Sequence, residues 1–310
     1  MNYLLDIQIK DAAPHIFRRP FLSVEPNTRM LQIATFLAIG PQIYVDGIIV
    51  IDDKVQRGRP VGRISSKHII SSILDFGYPD CMQKNASQIM DSFVMPLEME
   101  SPMKKALEVF ERTRFAIVPI LAKKHRLEDE EGDSLKVVTA SLAIRDILPL
   151  IAKANLSIPI KELSSKLISV DGKASVRIAL DYMLNNNIRN IGIREELSDH
   201  DDSGGVGSDE SGRKSKLPHI INDRKILEFL LSHNGREVLL KDGIAGLADL
   251  NIVDNLDIIS PSIVKSNTTV SRAAELLMDI RNPYLILEGN EKEEHHYIIT
   301  PSDIVMKTLK

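Results

Sequence analysis

The stretch HYIITPSDIV, residues 296–305, carries the pattern that decides the fold of this chain. Apolar residues lead into Thr300, Pro301 follows at once, and Asp303 stands three residues after the threonine. A threonine before a proline, with an acidic residue three positions later, is typical of the first turn of a helix. The stretch therefore predicts an apolar strand that runs directly into a capped helix.

Outward from this stretch, the same order of elements occurs four times in the 310 residues. In each copy an extended apolar residue is followed six positions later by an apolar residue that begins a helix; the pairs are Val24/Met30, Leu97/Met103, Val170/Val176 and Val264/Val270. Successive helix starts are 73, 73 and 94 residues apart. Residues 197–216, rich in Ser, Gly and Asp, account for nearly all of the longer interval and are predicted to be a disordered insert.

Each copy is predicted to be a β-α-β-β-α unit with short strands that are apolar on both faces, as expected where helices cover a sheet. A shorter acidic insert, at 128–133, interrupts the second copy at the equivalent place. One unit would leave a sheet face bare, whereas two units packed together bury both faces. We therefore expect repeats one and two to form one domain, 13–155, and repeats three and four another, 156–310, with a linker carrying a short helix at 233–251.

The sequence resembles the CBS domain family, whose repeats pair into Bateman modules. The resemblance covers about 290 residues, from near Pro20 onward. It rests on the Val-x-x-Ala helix starts, on IRNIGI at 188–193 and on HYIITPSDIV at 296–305. It implies an α/β fold of four CBS repeats paired into two Bateman modules, which tandem CBS proteins often assemble into a flat disc. It also implies a regulatory protein that binds an adenosine-containing ligand.

In the family, the Thr or Ser of the signature contacts ligand phosphate or ribose, and the Asp accepts hydrogen bonds from ribose hydroxyls. An ionised carboxylate can accept from two neighbouring hydroxyls, and a helix start suits a phosphate. Position by position, the matching pairs are Thr300 and Asp303, Ser65 and His68, Ala143 and Asp146, and Asn222 and Lys225. The fourth repeat is thus the only one that keeps both residue types, and its site is expected to dominate.

Each of these positions has a second interpretation. Thr300 and Asp303 either cap the last helix alone or cap it and also contact a ligand. Asp146 is either a plain solvated charge or a ligand contact. Ser65 keeps the hydroxyl of the signature, but His68 stands where the family has the aspartate.

Two further groups are candidates for the site. A basic residue precedes the middle strand in three repeats, as Arg114, Arg189 and Arg281. Related CBS pairs direct such residues into a central groove, where an arginine suits phosphate; the alternative is a solvated ion pair. The candidates for a wall around an adenine in the fourth repeat are Ile263, Asn282, Pro283 and Tyr284. Tyr284 is either a core residue or a base-stacking one.

Composition narrows the functional class. The net charge of −4 argues against a nucleic-acid surface, and the single cysteine, Cys81, excludes a disulfide framework within the chain. The chain has no apolar stretch long enough to span a membrane, no secretory signal pattern, and no GxSxG, Walker A or GxGxxG motif. We therefore expect a cytoplasmic protein that is not an enzyme and holds no metal.

Three functions remain open. The leading one is a ligand sensor that binds AMP, ADP, ATP or S-adenosylmethionine and signals to an effector protein, with homodimerisation undecided. The second is a structural scaffold that has lost ligand binding, which the degraded signatures permit. The third is a nucleic-acid-binding regulator, against which the charge argues. No catalytic residues are predicted.

Overall fold

The computed structural model describes residues 2–39, 46–52, 58–124, 135–194, 219–288 and 296–309. The two inserts predicted from composition, at 128–133 and 197–216, lie outside these residues. Within them the chain forms four repeats, accompanied by short helices that pack on the repeats.

The first half of the chain contains two repeats. Before them lie α1 (Asn2–Asp6), α2 (Ile9–Ala12) and a 3-10 helix (Pro14–Phe17). The first repeat comprises β1 (Ser23–Val24), α3 (Met30–Ile39), β2 (Ile48–Asp52), β3 (Arg59–Ile64) and α4 (Ser66–Phe76), followed by α5 (Asp80–Gln83) and α6 (Ala86–Ile89). The second comprises β4 (Leu97–Glu98), α7 (Met103–Thr113), β5 (Ile117–Lys124), β6 (Leu135–Ala143), a 3-10 turn (Ile144–Ile147) and α8 (Leu148–Lys153).

The second half repeats this order. A 3-10 turn (Ile160–Glu162) and β7 (Ser165–Lys166) come first. The third repeat comprises β8 (Ser169–Asp171), α9 (Val176–Asn185), β9 (Asn190–Arg194), β10 (His219–Asn222) and α10 (Asp223–Leu231), followed by α11 (His233–Lys241), a 3-10 helix (Gly243–Ala248) and α12 (Ile252–Asn255). The fourth comprises β11 (Ser262–Val264), α13 (Val270–Met278), β12 (Leu285–Leu287), β13 (Tyr297–Ile299) and α14 (Pro301–Thr308).

All four repeats share one sheet topology. In each, the middle strand pairs parallel with the first strand and antiparallel with the third. The parallel pair is joined by the first helix, as a crossover connection requires. The predicted β-α-β-β-α order is confirmed.

The start of α7 lies at Met103, as the Leu97/Met103 pair predicts. Ser101 and Pro102 read as a cap and a first helical residue, but Pro102 is extended and the helix begins at Met103. Pro102 is bridged to Gln8, and the Met103 N–H donates to the Ile7 carbonyl at 2.8 Å. The segment before the first repeat therefore contacts the first residue of α7 and satisfies its N–H.

The sheets pack within each half. Ile49 and Ile51 of the first sheet lie in one buried cluster with Ile117 and Ala143 of the second. In the second half, Ile220, Tyr284, Ile286 and Ile298 form the equivalent cluster, with Leu167 beside them. Repeats one and two, and repeats three and four, are thus paired through their sheets, as a Bateman module requires.

The helices pack between the halves. Helix α3 packs on α10, so that one buried cluster combines the first and third repeats. Helix α8 packs on α13, where the small Ala273 and Ala274 lie in the interface. The Ser271 hydroxyl there donates to the Ile151 carbonyl at 2.8 Å. The four repeats therefore form a closed ring, in which sheet contacts and helix contacts alternate.

Each half also carries a leading segment that packs on its second repeat. Leu4, Ile9 and Ile16 are buried in the core of the second repeat, and β7 adds a strand to the sheet of the fourth. The boundaries 13–155 and 156–310 stay a prediction, and α1 and α2, which precede residue 13, belong to the packed structure of the first half.

The segment predicted as a linker is part of the core. Residues 233–251 include α11 and a 3-10 helix that packs on α9. Leu239 and Leu247 are both buried in the cluster of the first and third repeats. Gly235 allows close packing in this segment, because a Cβ at this position would lie 2.1 Å from the Phe229 carbonyl oxygen.

Candidate functional site

A cavity of about 860 Å³ lies where the four repeats meet. Its size is that of a typical small-molecule site. Each repeat contributes to its lining, for example through Asp46, Arg114, Arg189 and Thr300. The ring arrangement places side chains from both halves of the chain around one space.

The start of α14 lies at this cavity. Thr300 and Asp303 both line it and form a capping box. The Asp303 N–H donates to Thr300 Oγ1 at 3.2 Å, and Asp303 Oδ2 accepts from the Thr300 N–H at 3.0 Å. Asp303 Oδ1 also accepts from Ser165 Oγ at 2.9 Å and lies 2.8 Å from Lys307 Nζ. The N-terminal cap of α14 is therefore formed. A ligand that binds Asp303 would share its carboxylate with Ser165 and Lys307.

Ser65 caps α4 with a histidine partner. The Ser65 N–H donates to His68 Nδ1 at 3.2 Å, and Ser65 Oγ lies 2.9 Å from the same atom. Burial lowers the pKa of His68 to about 4, because the charged ring would lose its water, while nearby Asp91 opposes this effect. Ser65 does not line the central cavity.

Asp146 is bound within the chain rather than directed at the cavity. Its carboxylate, on a side chain that is 6% exposed, accepts from Arg19 Nη2 at 2.7 Å and from the Ala143 N–H at 2.7 Å. His15 Nε2 lies 3.1 Å from its other oxygen. The interpretations of Asp146 as a ligand contact and as a solvated charge are both corrected, because the segment before the first repeat covers this carboxylate.

The third repeat also keeps its cap although its signature is degraded. Asn222 Oδ1 accepts from the Lys225 N–H at 2.9 Å. The Lys225 ammonium binds Glu228 at 2.8 Å and Asp257 at 3.2 Å. Asn222 and Lys225 line the cavity, so this helix start faces the same space as α14.

The three predicted basic residues all reach the cavity, with different partners. Arg189 Nε donates to Asp223 at 3.0 Å, and Arg281 binds Asp279 in its own turn at 2.6 Å. Arg114 ends α7 in a left-handed conformation, with φ 53°, and its side chain is exposed. The ion-pair interpretation thus describes Arg189 and Arg281.

A charged network at the cavity was not predicted from the sequence. Asp46 lies 3.0 Å from Arg224 and 3.5 Å from Arg189. Burial by itself would raise the pKa of Asp46, but Arg224 and Arg189 outweigh it and hold that pKa below its ordinary value. The pKa of Arg189 is raised, chiefly by Asp223. Because Asp46 comes from the first repeat, no local pattern indicates this meeting.

Arg145 was also missed and links the second repeat to the fourth. Its Nη1 donates to the Leu277 carbonyl at the end of α13, and its Nη2 lies 3.4 Å from the Pro283 carbonyl. Arg145 and Pro283 both line the cavity. The charge of Arg145 suits a helix C-terminus, where carbonyl groups have no helical partner.

The four residues predicted to surround an adenine do not line the central cavity together. Of its four members only Pro283 lines the cavity. Ile263 is 45% exposed, and Asn282 binds Ser262 and the Leu276 carbonyl. Tyr284 is 1% exposed within the sheet contact, and burial raises the pKa of its hydroxyl. The core interpretation of Tyr284 is therefore the correct one, because its ring fills the space between two sheets.

No helix in the described part of the chain is long and apolar enough to cross a membrane. Within the same residues, no group of three or more His, Cys, Asp or Glu side chains has the arrangement of a metal site.

Comparison with known proteins identifies the fold. No protein-family model matches the chain, and no curated protein matches it either. Among solved structures, protein MJ1225 from Methanocaldococcus jannaschii, a proposed archaeal homologue of g-AMPK, is 14% identical, with coverage of 97% of this chain and 100% of that chain and a TM-score of 0.71.

Two solved structures match about half of the chain. A CBS domain-containing protein from Thermotoga maritima is 23% identical, over 48% of this chain and 96% of that chain, with a TM-score of 0.35. The CBS domain pair of protein MJ0100, solved with 5′-methylthioadenosine and S-adenosyl-L-methionine, is 17% identical over 48% of this chain and 98% of that chain, with a TM-score of 0.36. The fold of the chain is therefore that of CBS-domain proteins, with four repeats paired into two Bateman modules.

Proposed function

We propose that this protein is a non-enzymatic sensor that binds an adenosine-containing ligand in the central cavity and signals its occupancy to an effector protein. The observation that carries the proposal is the cavity itself, of about 860 Å³ and lined by all four repeats. A ligand there would contact both halves of the chain at once. Binding could therefore change the relative stability of the two halves, which is what a partner protein could recognise.

The fourth repeat offers the polar groups that such a ligand needs. Asp303 presents a carboxylate at the cavity, where ribose hydroxyls could replace the hydroxyl of Ser165 as donors. Arg114 is an exposed arginine on the same cavity and has no polar partner among the described residues. Carboxylate and guanidinium together match the ribose and phosphate of AMP, ADP or ATP, and S-adenosylmethionine offers the ribose alone.

A ligand panel tests this proposal. The full chain is heated with AMP, ADP, ATP or S-adenosylmethionine, and the melting temperature is recorded. A ligand at about 100 times its dissociation constant should add about 2.7 kcal/mol to the free energy of unfolding. We expect at least one of the four to raise the melting temperature, whereas no shift with any of them would contradict the proposal.

Titration calorimetry then tests the role of Asp303. We expect Asp303→Ala to weaken AMP binding by about 1.5–3 kcal/mol, the range for hydrogen bonds to a charged group. Because the ribose contact is lost, the variant should no longer prefer AMP over 2′-deoxy-AMP. Any damage to the cap affects both ligands equally and cancels in this comparison. Asp181→Ala, which removes an exposed carboxylate on α9, should keep the wild-type preference.

The second candidate function is a scaffold that binds no nucleotide. It is favoured by one specific observation, that Asp146 and the network of Asp46, Arg189 and Asp223 are already satisfied within the chain. A full ligand panel without any thermal shift would favour this function. A salt-dependent shift of DNA or RNA on a gel would instead favour a nucleic-acid-binding regulator.

A further inference from the structure

A buried arginine lies between the sheets of the first two repeats. Arg63 is on β3, opposite Ile49 of β2, and is 1% exposed. Its Nη2 donates to Asp91 Oδ2 at 3.2 Å. Its Nε and Nη1 are buried and have no hydrogen-bond partner among the described residues. Burial also lowers the pKa of this guanidinium.

Sheet packing does not require an arginine at this position. Arg63 stands two residues before the residue that caps α4, and the equivalent residues of the third and fourth repeats are Ile220 and Ile298. Both isoleucines are buried in the corresponding sheet contact. A buried donor without an acceptor is costly and rare in folded proteins. The two free nitrogens of Arg63 therefore point to an acceptor that is not part of the described chain.

One side chain separates this arginine from the central cavity. The guanidinium carbon of Arg63 lies 3.7 Å from the centre of the Phe115 ring. Phe115 lines the cavity, whereas Arg63 does not. The same ring is 5.2 Å from the His68 ring. Because the Phe115 side chain lines the cavity and lies against Arg63, rotation of this side chain would open a path from the cavity to Arg63.

The charges around this path favour an anion. Arg114 directly precedes Phe115, is exposed, and lines the cavity. Arg145 lines the same cavity. Asp91 and the cavity-lining Glu111 oppose an anion, but the contact of Asp91 with Arg63 is to Nη2 alone and leaves the other two nitrogens available.

We propose that Arg63 is an oxyanion subsite, closed by Phe115, that takes a phosphate group of a molecule in the central cavity. When Phe115 turns aside, the Nε–H and Nη1–H groups donate to the phosphate oxygens, and Asp91 continues to hold Nη2. Such charge-assisted hydrogen bonds are stronger than neutral ones. The subsite does not depend on the proposed recognition of adenosine, because it requires neither ribose nor base.

Calorimetric titration of the full chain with inorganic pyrophosphate tests the subsite. In Phe115→Ala the guanidinium is open to the cavity, and we expect pyrophosphate to bind at least about tenfold more tightly than to the wild type. Adding Arg63→Met should remove this gain. Adding Arg272→Met instead should leave the gain, because that exposed arginine on α13 does not line the cavity. Equal affinities of Phe115→Ala and wild type would overturn the proposal, as would a gain that survives Arg63→Met.

A second measurement separates the subsite from a purely structural role. Replacing both charges of the pair, in Arg63→Met/Asp91→Asn, should leave the melting temperature unchanged or higher, since replacing a buried ion pair by uncharged groups is often neutral or stabilising. A marked fall in melting temperature would show that Arg63 serves packing and would contradict the subsite. If Phe115→Ala does not fold, the same titrations are made on Phe115→Leu, which keeps more of the apolar volume.

The titrations with pyrophosphate and the nucleotide panel test the subsite and the proposed function independently, so either one can be contradicted while the other is supported. Binding of pyrophosphate that depends on Arg63 supports the subsite even if no adenosine-containing ligand binds. Conversely, a nucleotide that binds wild type and Arg63→Met equally, in a chain whose Phe115→Ala variant gains no affinity for pyrophosphate, supports the proposed function and overturns the subsite.

Discussion

At the scale of single residues, the neighbouring side chains determine whether an ionisable group of this protein is accessible to a ligand. Asp146 and Asp303 occupy the same position in their repeats, yet Asp146 is enclosed by Arg19 and His15 while Asp303 lies at the central cavity. His68 occupies the position again, and its partly buried ring lies beside that of Phe115. The identity of the residue therefore predicts the helix cap, whereas its neighbours decide whether a ligand can reach it.

The partly buried ring of His68 predicts a pH dependence of stability. Its pKa is lowered from 6.5 to about 4 by burial, so the unfolded chain takes up a proton first as the pH falls. The contribution of the neutral ring to stability is complete above about pH 6.5 and is lost progressively between about 6.5 and 4; below that range it changes no further. The loss is on the order of 3 kcal/mol at most.

Chemical denaturation at a series of pH values measures this effect. His68→Gln keeps a side-chain acceptor at the third helical position but does not titrate. We expect the wild type to lose more stability than this variant between pH 6.5 and 4. Parallel curves for the two proteins would show that His68 does not contribute.

At the scale of elements, the second helix of a repeat is capped at its N-terminus by a different residue in each of three repeats. Asn222 and Thr300 accept the N–H of the third helical residue, and Ser65 contacts the histidine at that position. Each of these helices follows directly from the third strand of its repeat. A cap at this junction satisfies backbone donors that would otherwise be lost where strand meets helix.

The cap of α14 can be tested without a ligand. Thr300→Ala removes the hydroxyl that accepts the Asp303 N–H, so the free energy of unfolding should fall by about 1 kcal/mol. Thr300→Ser keeps the hydroxyl and should lose much less. Urea denaturation of both variants measures the difference, and equal losses would indicate that the methyl group rather than the cap stabilises this helix.

At the scale of the whole molecule, the two halves share their cores. The first and third repeats contribute to one buried cluster, and the second and fourth to another. The alternation of sheet and helix contacts closes the ring and leaves the cavity at its centre. Neither half can therefore bury its helices alone.

Separation of the halves tests this interdependence. We expect residues 1–155, expressed alone, to self-associate or to unfold at lower denaturant, because the apolar faces of α3 and α8 lose α10 and α13. Sedimentation analysis measures the association, and co-expression with residues 156–310 is the control that should restore a complex. A monomer of residues 1–155 as stable as the full chain would contradict this expectation.

The sequence by itself determined the repeat unit, the order of its elements and the capped helix starts. These features depend on residues close together in the chain: apolar spacing sets strand and helix, and Thr300, Pro301 and Asp303 set a cap. The pairing of sequential repeats also followed, since each sheet needs a partner to bury its open face.

Only the tertiary structure decided which side chains meet. Arg19 reaches Asp146 across 127 positions, and Arg224 reaches Asp46 across 178. Arg145 binds carbonyls of the fourth repeat, and Pro102 is bridged to Gln8 in the segment before the first repeat. These contacts arise because the ring brings distant surfaces together, and the pattern of neighbouring residues holds no information about that arrangement. The composition of the central cavity therefore follows from the ring and could not be obtained from the repeats one by one.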